Sequence, residues 1–151
     1  AALQINLEAL GDIQYTQEEI DFALEMQRNN GKPEIGIDGK IKSLRETLKS
    51  PGGGSTDVGD VSYNVPVVSL NATTAPKGVP WHSWSVVASS GMSIGHKGML
   101  YAAKALGMTM VDIFKDSRLR DDIKKEFDER IGEYEYDPFL DPGPPPINYV
   151  D

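Results

Sequence analysis

The sequence predicts an α/β fold, and three features carry the prediction. The run Pro66 to Ala72 is compact, apolar and β-favouring, the pattern of a strand buried on both faces. Segments on both sides of it repeat apolar residues at helical spacing. A chain of 151 residues with 39% hydrophobic content is also the size of one ordinary domain, able to bury a core without covalent staples.

The elements follow in order. Leu3, Ile5 and Leu7 alternate with polar residues and predict a short strand or extended lead-in. Thr16 and Glu19 have the form of a capping box, opening a core-facing helix that carries Ile20, Ala23, Leu24 and Gln27, widened by Phe22 and Met26, and that Asn29, Asn30 and Gly31 close. From Gly31 to Gly54 the chain is rich in Gly, Pro and Lys around one amphipathic piece (Ile41, Leu44, Leu48), which predicts a surface excursion. Pro66 suits the first position of the following strand, where its missing N–H costs nothing. Between Met92 and Leu106, the positions Met99, Leu100, Ala103 and Leu106 predict a helix packed on that strand and closed by Gly107. Thr109 caps a further turn through Phe114, and Asp116 or Ser117 caps a last helix with Leu119, Ile123, Phe127 and Ile131, ended by Gly132. The organisation expected is therefore a folded part over residues 1–132 and an acidic, proline-rich extended tail over residues 133–151.

Composition excludes several function classes. Without cysteine there is no disulfide, cysteine nucleophile or thiolate metal site, so any metal must rest on histidine and carboxylate. A net charge of −8 repels phosphate backbones and argues against a nucleic-acid partner. No apolar run approaches the roughly 20 residues that span a bilayer, and the first residues lack the basic and long apolar regions of a signal peptide. A soluble, cytoplasmic chain with no membrane partner is expected.

Candidate chemistry concentrates between Gly54 and Lys104. His82, held between Trp81 and Trp84 after Pro80, is either a metal ligand presented from a restrained backbone or a structural histidine beside two indoles. His96, after Gly95 at a helix start, is a weaker ligand candidate or a solvent-facing residue. Asp57 and Asp60, three apart in a glycine-flanked loop, suit metal binding, support of a metal-binding histidine, or simple turn capping. Ser55, Ser83 and Ser85 lie in no Gly-x-Ser-x-Gly elbow, and the Gly52 to Ser55 run lacks the Gly-Lys-Ser/Thr ending of a phosphate loop. Two histidines and one acidic loop are too few for a two-metal centre with a general base.

Three stretches, Ser55 to Asn64, Trp81 to Trp84 and Ser93 to Lys104, resemble the C-terminal part of the two-metal amidohydrolases of the aminoacylase and carboxypeptidase type, nearest the subgroup that hydrolyses aminobenzoyl-glutamate. The resemblance covers roughly Asn6 to Leu106. It implies the C-terminal portion of an α/β/α catalytic domain with a mixed central sheet, lacking the N-terminal half and the inserted lid domain, with Asn6 to Leu10 resembling the segment that returns to the catalytic domain. It maps the family's last metal ligand onto His82, with Trp84 where relatives carry proline. It makes Ser83 and Asp60 substrate contacts, Asp60 matching an aspartate of the site floor, while Gly59 stands where many relatives have glutamate. The stretch Gly91 to Gly98, leading into the next helix, would add contacts. The bridging aspartate, the other ligands and the glutamate base have no counterpart here, so the resemblance implies two divalent metals, zinc or manganese, in the full-length enzyme and at most one partial site in this chain. The implied partners are a small N-acyl amino acid substrate, such as aminobenzoyl-glutamate, and the missing N-terminal part of the domain. A sheet cut at residue 1 would further expose a strand edge, from which a homo-oligomer is expected. The competing reading is a non-catalytic acidic module that binds a protein through Trp81, Trp84 and the proline-rich tail.

Overall fold

Six helices in sequence form the architecture of the computed structural model, which describes residues 1–44, 56–138 and 143. They are α1 (Ala2–Leu10), α2 (Gln17–Asn29), α3 (Val58–Asn64), α4 (Trp84–Ser90), α5 (Ser93–Lys115) and α6 (Ser117–Ile131). Ser55, the Gly52 to Gly54 run and Leu48 lie outside the described residues, as does most of the proline-rich tail. No helix among the described residues is long and apolar enough to cross a membrane.

The α/β expectation is corrected: no strand occurs among the described residues. Leu3, Ile5 and Leu7 belong to α1, where Leu3 and Asn6 share the buried face and Ile5 is 63% exposed. Good helix formers (Ala, Leu, Gln, Glu) fill this segment, and their propensity outweighs a three-residue alternation. Pro66 to Ala72 is extended without a ladder, and Val65, Val67 and Val68 face solvent. Strand stability comes from a paired neighbour, and the segments running near this one are tied by single bonds instead. Ile13 N–H donates to the Gly39 carbonyl (3.0 Å), Lys77 N–H to Gly36 (3.1 Å), and Thr73 Oγ1 to Asp38 (2.6 Å).

The axis is α5, about 34 Å long at 1.5 Å per residue over 23 residues. It runs past Gly107, where the sequence suggested an end. Gly107 is exposed in mid-helix, and Thr109 Oγ1 bonds back to the Ala105 carbonyl (2.8 Å) instead of capping a new turn. One face of α5 buries Ile94, Gly98, Ala105 and Thr109. Against it lies α1, whose buried Asn6 donates to Thr109 Oγ1 (3.1 Å) and to Asp112 Oδ2 (2.7 Å), while Tyr101 Oη donates to the Leu7 carbonyl (3.2 Å). Gly98 permits close approach, since a Cβ there would run into the Thr73 carbonyl.

Within α2 the expected capping box is complete: Thr16 Oγ1 accepts from Glu19 N–H (3.3 Å) and the Glu19 carboxylate accepts from Thr16 N–H (2.7 Å). Gln27, fully buried on this helix, acts as a surrogate peptide group. Its Nε2 donates to the Gly36 and Lys77 carbonyls (2.8 Å each) and its Oε1 accepts from Gly36 N–H (2.8 Å), fastening two loops to α2. Asn30 reaches α4 through Ser85 Oγ (2.7 Å). The last helix matches its expected bounds, with Asp116 as N-cap and Gly132 closing it, though none of its residues is fully buried.

Candidate functional site

The region expected to carry chemistry is a turn, a short helix and a buried ion pair on separate parts of the α5 scaffold. Pro80 leads into the turn Trp81, His82 and Ser83, and Ser83 is the N-cap of α4. The Ser83 hydroxyl donates to the Pro80 carbonyl (2.6 Å), closing the turn on itself, and the Ser83 carbonyl accepts from Val86 and Val87 N–H. His82 at the apex has φ +59°, making it the one non-glycine residue in the left-handed region among the described residues. That conformation costs an L-residue roughly 1–2 kcal/mol and concentrates at functional sites. The imidazole is exposed, and Trp81 and Trp84 beside it are 71% and 60% exposed. A structural histidine packed under two indoles is therefore not what this turn holds.

Asp60 sits on α3, a helix where the sequence suggested a loop. Asp57 precedes it as N-cap, without a side-chain cap. Tyr136, beyond the end of α6, stacks on Tyr63 of α3 at 5.7 Å. The Asp60 carboxylate, then burial and the neighbouring negative charges, push the Tyr136 phenol up to about 12. His96 lies exposed in the first turn of α5. Among the described residues no three of histidine, aspartate and glutamate gather as a metal cluster.

The densest polar interaction escaped the sequence reading. Glu19 is 4% exposed, and its Oε2 accepts from Lys97 Nζ at 2.6 Å. Burial alone would raise this carboxyl, but hydrogen bonds from Lys97, Ser93 and the Thr16 amide outweigh it and hold it at about 2. Lys97 also donates to the Gln14 carbonyl (2.9 Å) and lies over the Tyr15 ring at 5.6 Å. Burial and the Glu19 charge push Tyr15 up to about 12. The capping box gave Glu19 a local task; nothing in its spacing announces a partner 78 residues away.

These elements describe a helical scaffold that displays a strained, solvent-facing histidine turn and, separately, a short helix carrying Asp60, and the resemblance to amidohydrolases rests on the stretches Ser55 to Asn64, Trp81 to Trp84 and Ser93 to Lys104. The comparison with known proteins bears that resemblance out. The chain is similar to a subunit of the p-aminobenzoyl-glutamate hydrolase of Escherichia coli (strain K12), 34% identical over 144 residues, covering 80% of this chain and 30% of that protein. The chain thus spans under a third of the length of the relative it matches. No family model and no solved structure matches it.

Proposed function

We propose that this chain is part of a metal-dependent amidohydrolase that cleaves the amide bond of an N-acyl amino acid such as aminobenzoyl-glutamate. The observation that carries the reading is the His82 turn: an exposed imidazole on left-handed backbone, within a chain similar to part of a named hydrolase. The turn presents a ligand nitrogen to solvent on backbone fixed by Pro80 and by the Ser83 hydroxyl. His82 would be the single ligand from this chain, with the remaining ligands and the general base supplied by polypeptide corresponding to the rest of the relative's length. The two metals, zinc or manganese, supply Lewis-acid activation of carbonyl and water when bound. Ser83 and Asp60 would contact the substrate's polar groups, and both offer oxygen acceptors at exposed or half-exposed positions. The chain alone would not turn over substrate. Cytoplasmic location belongs to the same reading, whereas the strand edge from which a homo-oligomer is expected does not occur among the described residues.

Metal titration calorimetry tests it, run on this chain and on a polypeptide joining it to the remaining two thirds, each with and without His82→Ala. The longer protein should bind two metals and lose one, with most of its amidase activity, on substitution. Unchanged metal content and activity would overturn the ligand assignment. The exposed Trp81 and Trp84 favour a second reading, a protein-binding module, and activity without metal dependence on His82 would move that reading ahead.

A further inference from the structure

Of the six helices, α3 is the one that other helices least explain. It spans seven residues, below the length at which an isolated helix persists in water, and none of its side chains is buried. The close helix pairings are α1 with α5, α4 with α5 and α5 with α6, and α3 takes part in none of them. What does lie on it is the segment after α6. Gly132, at φ +59°, turns the chain at the end of α6, and Tyr134 N–H bonds back to the Ile131 carbonyl (3.2 Å). The turn brings two phenol rings onto Tyr63. Tyr136 stacks on it with centroids 5.7 Å apart and planes at 16°, and Tyr134 lies against it at 5.1 Å and 38°. One helical turn before Tyr63, on the same helix, stands Asp60.

We propose that Tyr134 and Tyr136 are positioning residues: the segment after α6 is a strap that holds α3 helical and fixes where its Asp60 carboxylate stands. This rests on the reading of Asp60 as a substrate contact only for what the strap is for, not for whether it holds. Two ring contacts centred on one tyrosine favour the two-turn helix, because each aromatic pair contributes beyond the area it buries.

Amide hydrogen exchange of the 151-residue chain tests the strap without involving substrate. In Tyr134→Ala/Tyr136→Ala, exchange over residues 58–64 should rise roughly tenfold to a hundredfold relative to the unsubstituted chain, the range two aromatic pairs imply. Exchange in α1, α2 and α5 should not change, and an unchanged far-UV spectrum outside the loss of one short helix shows the rest folded. Tyr136→Phe retains the stack and should leave α3 protected. Equal exchange over 58–64 with and without the two tyrosines, or no protection there in the unsubstituted chain, overturns the proposal. Loss of turnover on Asp60→Asn in a complete hydrolase concerns the functional reading and moves independently of these results.

Discussion

Replacing Glu19 by Gln isolates the charge of the buried ion pair that ties α2 to α5. The Glu19 side chain is 5% exposed and that of Lys97 34%. The carboxyl is lowered from 4.5 to about 2, and a displacement of that size, at 1.36 kcal/mol per unit, corresponds to about 3 kcal/mol. Partial solvent access at Lys97 reduces this towards about 2 kcal/mol. The sign follows from the folded state holding the carboxylate more acidic than the unfolded chain does. The stabilisation is complete above about pH 4.5 and is lost as pH falls towards 2. Urea unfolding followed by helical circular dichroism, on wild type and Glu19→Gln across that range, gives the difference directly, with the other carboxylates cancelling. Wild type should be the more stable by about 2–3 kcal/mol near neutral pH, and the two curves should converge in acid. High salt should change the difference little, because buried pairs are poorly screened. A difference that stays constant with pH would refute the argument, since it would assign the effect to the neutral capping hydrogen bonds of Thr16.

Three further outcomes are expected from the same unfolding measurement. Gly107→Ala, in mid-helix with nothing near the added methyl, should stabilise by roughly 0.5–1 kcal/mol, whereas Gly98→Ala on the same helix should destabilise by about 1–3 kcal/mol because its Cβ meets the Thr73 carbonyl. Gln27→Ala should cost about 2–4 kcal/mol by leaving the Gly36 N–H and the Gly36 and Lys77 carbonyls without their partner. His82→Gly should stabilise by about 1 kcal/mol by relieving the left-handed backbone while His82→Ala leaves stability near wild type, and equal stability of the two would show that the turn is not strained.

Local signals were legible in this sequence and long-range ones were not. The capping box at Thr16, the Asp116 cap and the Gly132 stop each involve residues within one turn of each other, so their physics is written in adjacent letters. The helix stop expected at Gly107 failed because glycine is tolerated inside a helix whose other face is well packed, as Ala105 and Thr109 pack here. The strand expected at Pro66 to Ala72 failed for a different reason. An apolar β-branched run states what a segment would bury, but burial needs a neighbour, and the described residues provide none for Val65, Val67 and Val68. The residue type at the His82 turn was legible; its conformation was not, because a left-handed φ is uncommon in any non-glycine residue, even where histidine is enriched there.

The same reasoning accounts for the outer face of α5. Leu100, Ala103, Gly107, Met110 and Phe114 recur at alternating spacings of three and four, a seam pattern, yet all are exposed, Phe114 by 77%. Met99, Leu106 and Val111 flank them, also exposed. Opposite lies the face that holds α1, fastened by buried Asn6, so the two sides of one helix differ in kind. The inner side is closed by specific hydrogen bonds, while the outer is an apolar stripe whose side chains meet water along most of the helix. A chain organised this way stabilises its inner layer through polar clamps, Asn6, Gln27 and the Glu19–Lys97 pair, to a degree unusual for so few buried apolar residues. Loss of any one clamp should therefore weigh more heavily here than a comparable polar contact would in a domain with a large apolar core.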